Sequence, residues 1–189
     1  MTTIDIYTNV HKGIRRALFE ACVALGRAGD DPQRSAAARA LLGEVLHFVT
    51  HHGENEDLLL VPLLDARAPA VAGRMRSEHA RIEPKLAALI ASRETAPIGE
   101  LYHRACEFVA IYLEHMREEE EQLEPAIREA LTPDELAGFG RGSIERTAPA
   151  DQRMMLGWML PAMTRADAVG FLARLPGPLA DQLRPLTAA

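Results

Sequence analysis

The chain has 189 residues, the length of one ordinary domain, and its 48% hydrophobic and 25% charged residues are enough to bury a core in a globular fold. Lys and Arg number 21 against 27 Asp and Glu, a net charge of -6, and no basic cluster is interleaved with aromatics, which excludes the electrostatic footprint of a nucleic-acid binder. No apolar run approaches the roughly 18 to 20 residues of a membrane span, and the start Met1-Thr2-Thr3-Ile4-Asp5 lacks the basic and apolar regions of a secretory leader, so a cytoplasmic protein with no membrane partner is expected.

Apolar residues recur at helical spacing nearly throughout, and alternating strand-like runs are missing, so the expected fold class is all-α. A first helix is predicted from near Asp5 to Arg27, with Ile6, Val10, Ile14, Leu18 and Leu25 on one face. It stops at Gly29-Asp30-Asp31-Pro32, a run with strong turn chemistry. The second is predicted from about Gln33 to Asp65. The third follows Pro69 and reaches about Ser92, with Pro84 removing one backbone hydrogen bond and kinking it. The fourth is predicted from about Pro97 to Leu131. Four long amphipathic helices with short polar connections are the sequence form of an up-down-up-down four-helix bundle over residues 1–131, whose interior can house metals.

Residues 132–189 read as a C-terminal helical extension. Thr132-Pro133-Asp134-Glu135 and Thr164-Arg165-Ala166-Asp167 each read as a capping box opening a helix. The acid excess lies wholly within residues 1–131. Met154, Met155, Trp158, Met159 and Met163 make an apolar helix that must cover either the open end of the bundle or a partner subunit. The first arrangement is favoured and gives a monomer; the second gives a homodimer. Cys22 and Cys106 lie far apart in sequence without a CxxC partner, which suits reduced structural thiols.

The chemistry is carried by a repeat. His52-Gly53-Glu54-Asn55-Glu56 runs on to Pro62, and His115-Met116-Arg117-Glu118-Glu119 runs on to Pro125, each HxxxE with a proline ten residues after the histidine. Residues four apart share a helix face, so each stretch aims an imidazole and a carboxylate at one point. The first helix adds His11 and the third adds His79 within Glu78-His79-Ala80-Arg81-Ile82-Glu83. Histidines and carboxylates projecting inward from several helices are the donor set of di-iron bundles.

A lone histidine on helix one, HxxxE on helix two, Glu-His on helix three and HxxxE on helix four resemble the hemerythrin, or HHE cation-binding, family over about residues 5 to 130. The resemblance implies two iron ions joined by an oxo or hydroxo bridge. His11, His52, His79 and His115 would be terminal ligands, and Glu56 and Glu119 bridging carboxylates. Oxygen-carrying hemerythrins place HxxxH on helix three, whereas here Glu83 follows His79, so Glu83 is expected as a further ligand. A third carboxylate favours the ferric state and hence oxidase, ferroxidase or catalase-like peroxide chemistry over reversible carriage. If Glu83 instead points away, one iron keeps an open position for dioxygen, peroxide or nitric oxide. A non-catalytic oxygen- or iron-sensing or storage module is the alternative, and whether the chain is an enzyme stays open.

Other polar residues read more plainly. Among Glu118-Glu119-Glu120-Glu121 only Glu119 is singled out, the rest being a solvated face. His51 points about 100° from His52 and reads as exposed or as supporting the ligands. His47 and His103 read as solvent-facing. Glu44 and Glu107 read as surface salt-bridge residues, with hydrogen bonding to a ligand histidine as the alternative. Tyr7 and Tyr112 lie one turn from His11 and His115 and read as core packing.

Overall fold

The computed structural model describes residues 5–187; the expectation about a leader falls on Met1 to Ile4, which lie outside them. All regular structure among the described residues is helical, as the 3.6-residue apolar period requires. The Asp5 carboxylate accepts the N–H groups of Thr8 and Asn9 at 2.9 and 2.8 Å, so α1 spans Thr8–Ala28, starting later than the apolar stripe suggested. Gly29 ends it with a φ of 54°, a left-handed conformation that glycine adopts without a Cβ clash. Asp31 then caps α2 (Pro32–Asn55) by accepting from the N–H groups of Gln33 and Arg34, with proline at the first position, where its missing N–H costs nothing.

The second and fourth predicted helices are not uniform. After α2 the chain widens into a π-turn at Glu56–Leu60 before α3 (Val61–Arg67). The same happens after α5 (Ile98–Glu118), where Glu119–Leu123 is a π-turn before α6 (Glu124–Ala130). Each wide turn closes with an N–H bond reaching five residues back, Val61 to Glu56 and Glu124 to Glu119. The prolines explain the placement. Pro62 and Pro125 have no N–H for the carbonyl four residues earlier and their rings crowd it, and a π-turn just before each one opens the backbone there. By contrast α4 (Pro69–Ser92) runs through Pro84 without ending.

α1 packs beside α2 and α5, and α4 lies against α2, α3 and α5. Two apolar clusters result. One holds Ile14, Leu18, Leu42, Val49, Ile82, Phe108 and Met116; the other holds Tyr7, Leu60, Leu64, Met75, Leu123 and Ile127. On three of the long elements the boundary between the clusters falls at a histidine, His11, His52 or His79, and on the fourth it falls at Glu119, one turn past His115.

The extension forms α7 (Pro133–Arg146), α8 (Pro149–Met159), α9 (Arg165–Leu172) and α10 (Gly177–Leu183). Thr132 and Glu135 make both halves of the capping box. At Thr164 the hydroxyl accepts from the Asp167 N–H, but the shorter Asp167 side chain turns to the Thr164 hydroxyl and Lys12. Met155, Leu156 and Met159 join the first apolar cluster. Their helix lies along the flank of α1 rather than over the end of the bundle: a Cβ at Gly13 would come 2.9 Å from the Met159 Cα. His51 Nε2 meets the Thr147 hydroxyl at 2.7 Å, His47 pairs with Asp151 at 3.2 Å, and Arg146 Nε donates to Asn55 at 3.3 Å. His51 thus helps hold the extension from a half-buried position, while His47 is exposed, as expected, and meets the extension only through its Asp151 pair. Among the described residues no helix is long and apolar enough to cross a membrane.

Candidate metal centre

Four imidazoles and two carboxylates meet in the layer between the apolar clusters. His11 and Glu56 and Glu119 are wholly buried, and His52, His79 and His115 nearly so. The histidines form two pairs: His11 and His52 bring their Nε2 atoms to 3.1 Å, and the His79 and His115 rings lie 5.5 Å apart. Each carboxylate spans both pairs. Glu56 Oε1 is 3.7 Å from His52 Nε2 while its Oε2 is 3.4 Å from His79 Nε2. Glu119 Oε2 is 3.3 Å from His11 Nε2 while its Oε1 is 3.2 Å from His115 Nε2.

Two sets of donor atoms lie close enough to share a cation: Glu56, His79, His115 and Glu119, and beside them His11, His52 and Glu119. All four oxygens of Glu56 and Glu119, and His79 Nε2, are buried without a hydrogen-bond partner. Buried carboxylates without donors are costly, and positive ions among them would remove that cost. The residues therefore fit a resident metal, and the imidazole and carboxylate set suits iron among other transition metals.

Further carboxylates aim the imidazoles. Asp57 accepts from His79 Nδ1 at 2.8 Å and Glu120 meets His11 Nδ1 at 2.9 Å. Arg15 grips Glu120 through both terminal nitrogens at 2.7 and 2.9 Å. With Nδ1 bonded, the Nε2 lone pair is free to face the cluster. Glu120 is therefore not part of a solvated face, as the glutamate run suggested. Both residues directly follow a cluster glutamate, in His52-x3-Glu56-Asp57 and His115-x3-Glu119-Glu120, so the repeat itself extends to HxxxE followed by an acid. Glu44 and Glu107 are exposed and touch none of this.

Charge in the cluster is shared unevenly. Burial opposes a charged His11, but Glu119 and Glu120 outweigh it and raise the imidazole to about 9. Burial likewise opposes a charged His79, which Glu56 and Asp57 lift to about 9. Burial pulls His52 down to about 4 and His115 to about 3. Glu119 is pushed up by burial and by the neighbouring Glu56 charge. Burial also opposes a charged Glu56, yet His52 and His79 hold its carboxyl below the usual range.

Tyr7 stacks on His11 with ring centres 5.1 Å apart, and burial followed by the Glu56 charge raises its phenol well above the usual value. Tyr112 lies beside His115 and is raised by burial and Glu119. A cavity of about 260 Å³ reaches the cluster, lined by Val49, Ile82, Tyr112, His79 and His115 and rimmed by Glu54 and Glu83. Glu83 is exposed at that rim and stands outside both donor sets. The structure thus brings together His11, His52, Glu56, His79, His115 and Glu119, and leaves Glu83 apart. His103 is exposed beside Tyr102.

An all-helical frame enclosing a buried histidine and glutamate cluster defines a cation-binding helical protein. The hemerythrin HHE cation-binding domain matches residues 2–127, two thirds of the chain, and the chain belongs to that family. The match ends within α6 and leaves the extension outside. No curated protein and no solved structure gave a match.

Proposed function

We propose that the chain is a hemerythrin-like di-iron protein, an up-down-up-down four-helix bundle over residues 1–131 with an extension over 132–189. Two iron ions are held by His11, His52, Glu56, His79, His115 and Glu119. The observation that carries this reading is that Glu56 and Glu119 each turn one buried, unpartnered oxygen toward each histidine pair. That is the placement of two bridging carboxylates.

Bound iron would supply Lewis acidity and one-electron chemistry toward dioxygen, peroxide, nitric oxide or Fe(II). The chain's own residues do the rest. Asp57 and Glu120 keep the Nδ1 protons of His79 and His11, and so fix which nitrogen faces the cluster. The apolar clusters on either side exclude bulk water. Small molecules reach His79 and His115 through the cavity. Because Glu83 sits at its mouth, the reading with an open coordination position on that side is preferred to one with Glu83 as a ligand.

The test is anaerobic loading with Fe(II), a count of bound iron, and then addition of each oxidant with optical spectra and turnover recorded. The expected result is two irons per chain, falling below one in Glu119→Ala, because Glu119 belongs to both donor sets. No bound iron, or one ion at saturation, overturns the reading. Repeated consumption of peroxide or Fe(II) makes the protein an enzyme, and a stable reversible adduct makes it a carrier.

A sensing module without turnover is favoured by one specific contact. The extension touches the π-turn that begins at Glu56, through Leu59 against Gly142, and the last residue of α2 just before it, through Arg146 on Asn55. A change in metal state that altered proteolysis of residues 132–187 would support it.

A further inference from the structure

Cys22 on α1 and Cys106 on α5 belong to no donor set, and both are partly buried free thiols. The two helices run in opposite directions. His11 faces Glu119 near one end of the seam, and a Cβ at Gly26 would lie 3.2 Å from the Tyr102 ring near the other. Cys22 is one turn before Gly26 and Cys106 one turn after Tyr102, so the register sets the thiols at the same level. Their proximity is felt electrostatically: the Cys22 thiol is pushed up to about 12 by burial, then by the charge Cys106 would carry and by hydrogen bonding to it. The Tyr102 hydroxyl is raised first by hydrogen bonding to Cys106. Distance in sequence, which argued against a disulfide, is cancelled by the fold.

We propose that Cys22 and Cys106 form a dithiol site that peroxide-class, two-electron oxidants close into a disulfide joining α1 to α5. One thiolate attacks a peroxide oxygen, the O–O bond breaks, and hydroxide leaves a sulfenic acid. The second thiolate attacks that sulfur, the S–S bond forms, and hydroxide leaves again. In sum, two thiols and one hydrogen peroxide give one disulfide and two waters; the sulfurs lose two electrons and the peroxide gains them. Either thiolate can attack first while the other resolves, and closure quickens as pH rises because the thiolate is the nucleophile. The staple would join the helices that carry His11 and His115, about 16 Å along α1 from His11 at 1.5 Å per residue.

The experiment treats the reduced full-length chain with hydrogen peroxide and, in a parallel arm, with diamide, then alkylates remaining thiols after denaturation. Expected are loss of both alkylatable thiols and a monomer lighter by two hydrogens. A reducible Cys22 to Cys106 peptide link should appear, with a melting midpoint several degrees higher. Cys22→Ser and Cys106→Ser should each abolish the internal link. Two thiols surviving an oxidant excess that fully oxidises glutathione would overturn the proposal, as would sulfinic acids or intermolecular dimers as the main product. Diamide needs no metal, so failure of the iron reading leaves this arm intact.

Discussion

Asp57 and Glu120 show how single residues govern the centre without entering it. Each carboxylate holds the Nδ1 of a histidine on another element, at 2.8 and 2.9 Å, so removing either frees an imidazole to rotate or change tautomer. Asp57→Ala and Glu120→Ala should each weaken cation affinity by about 10- to 100-fold, measured by competition with a chelator, with helical content unchanged. The cluster's proton load sets a pH dependence as well. In the metal-free protein His11 and His79 keep protons up to about 9, and a cation must displace them. Affinity should therefore climb between pH 6 and pH 9, with protons released on binding, as calorimetry in buffers of different ionisation enthalpy would show. Stability of the metal-free form follows the opposite course on that side. The raised His11 and His79 contribute fully below the ordinary histidine value of 6.5 and lose that contribution as pH climbs through about 9. His52 and His115, held down to about 4 and 3, oppose folding as pH falls below 6.5, because only the unfolded chain takes up their protons. Melting midpoints of the metal-free chain should thus peak near neutrality and fall on both sides. The HxxxE spacing made His52, Glu56, His115 and Glu119 legible, since it needs only helical periodicity. Glu120 and Asp57 were not legible, because their neighbours belong to helices distant in sequence.

At the scale of elements, helix existence was readable and helix regularity was not. Gly29 and Asp31 mark the first turn as expected, because capping is local chemistry. The π-turns at Glu56–Leu60 and Glu119–Leu123 needed a further step: the proline ten residues after each histidine was visible, but a proline can end, kink or widen a helix. Pro84 does not end its helix, so the type of residue alone does not decide. Both wide turns begin at a cluster glutamate, so the backbone departs from α geometry where the site needs its carboxylates, a common placement for such turns. The capping box at Thr132 gives a direct test of local control. Thr132→Ala removes the hydroxyl that accepts the Glu135 N–H and should cost about 1 kcal/mol in denaturant unfolding. Metal content should stay at the wild-type level, because α7 supplies no cluster residue.

For the whole molecule the question is how firmly the extension is bound to the bundle. Its apolar face was legible from Met155, Trp158 and Met159, but which surface it covers was not, because that depends on a glycine whose importance only the close approach reveals. Gly13 lets the α8 backbone come so near that an added Cβ would meet both Met159 Cγ, at 2.7 Å, and Met159 Cα, at 2.9 Å. A side-chain rotation can relieve the first clash and not the second, so Gly13→Leu must push the two helices apart. Position 13 lies two residues from His11, about 200° around the helix, so this displacement acts on the face turned away from the metal centre. The expected result is a loss of about 1–3 kcal/mol in unfolding free energy, the usual cost of overpacking, with faster proteolysis within residues 132–187 and undiminished iron content. If iron is lost together with the extension, α8 is part of what holds His11 in place rather than a cover over its helix. Limited proteolysis and metal analysis on the same sample separate the two outcomes, because the cut would precede metal loss only if the extension detaches on its own.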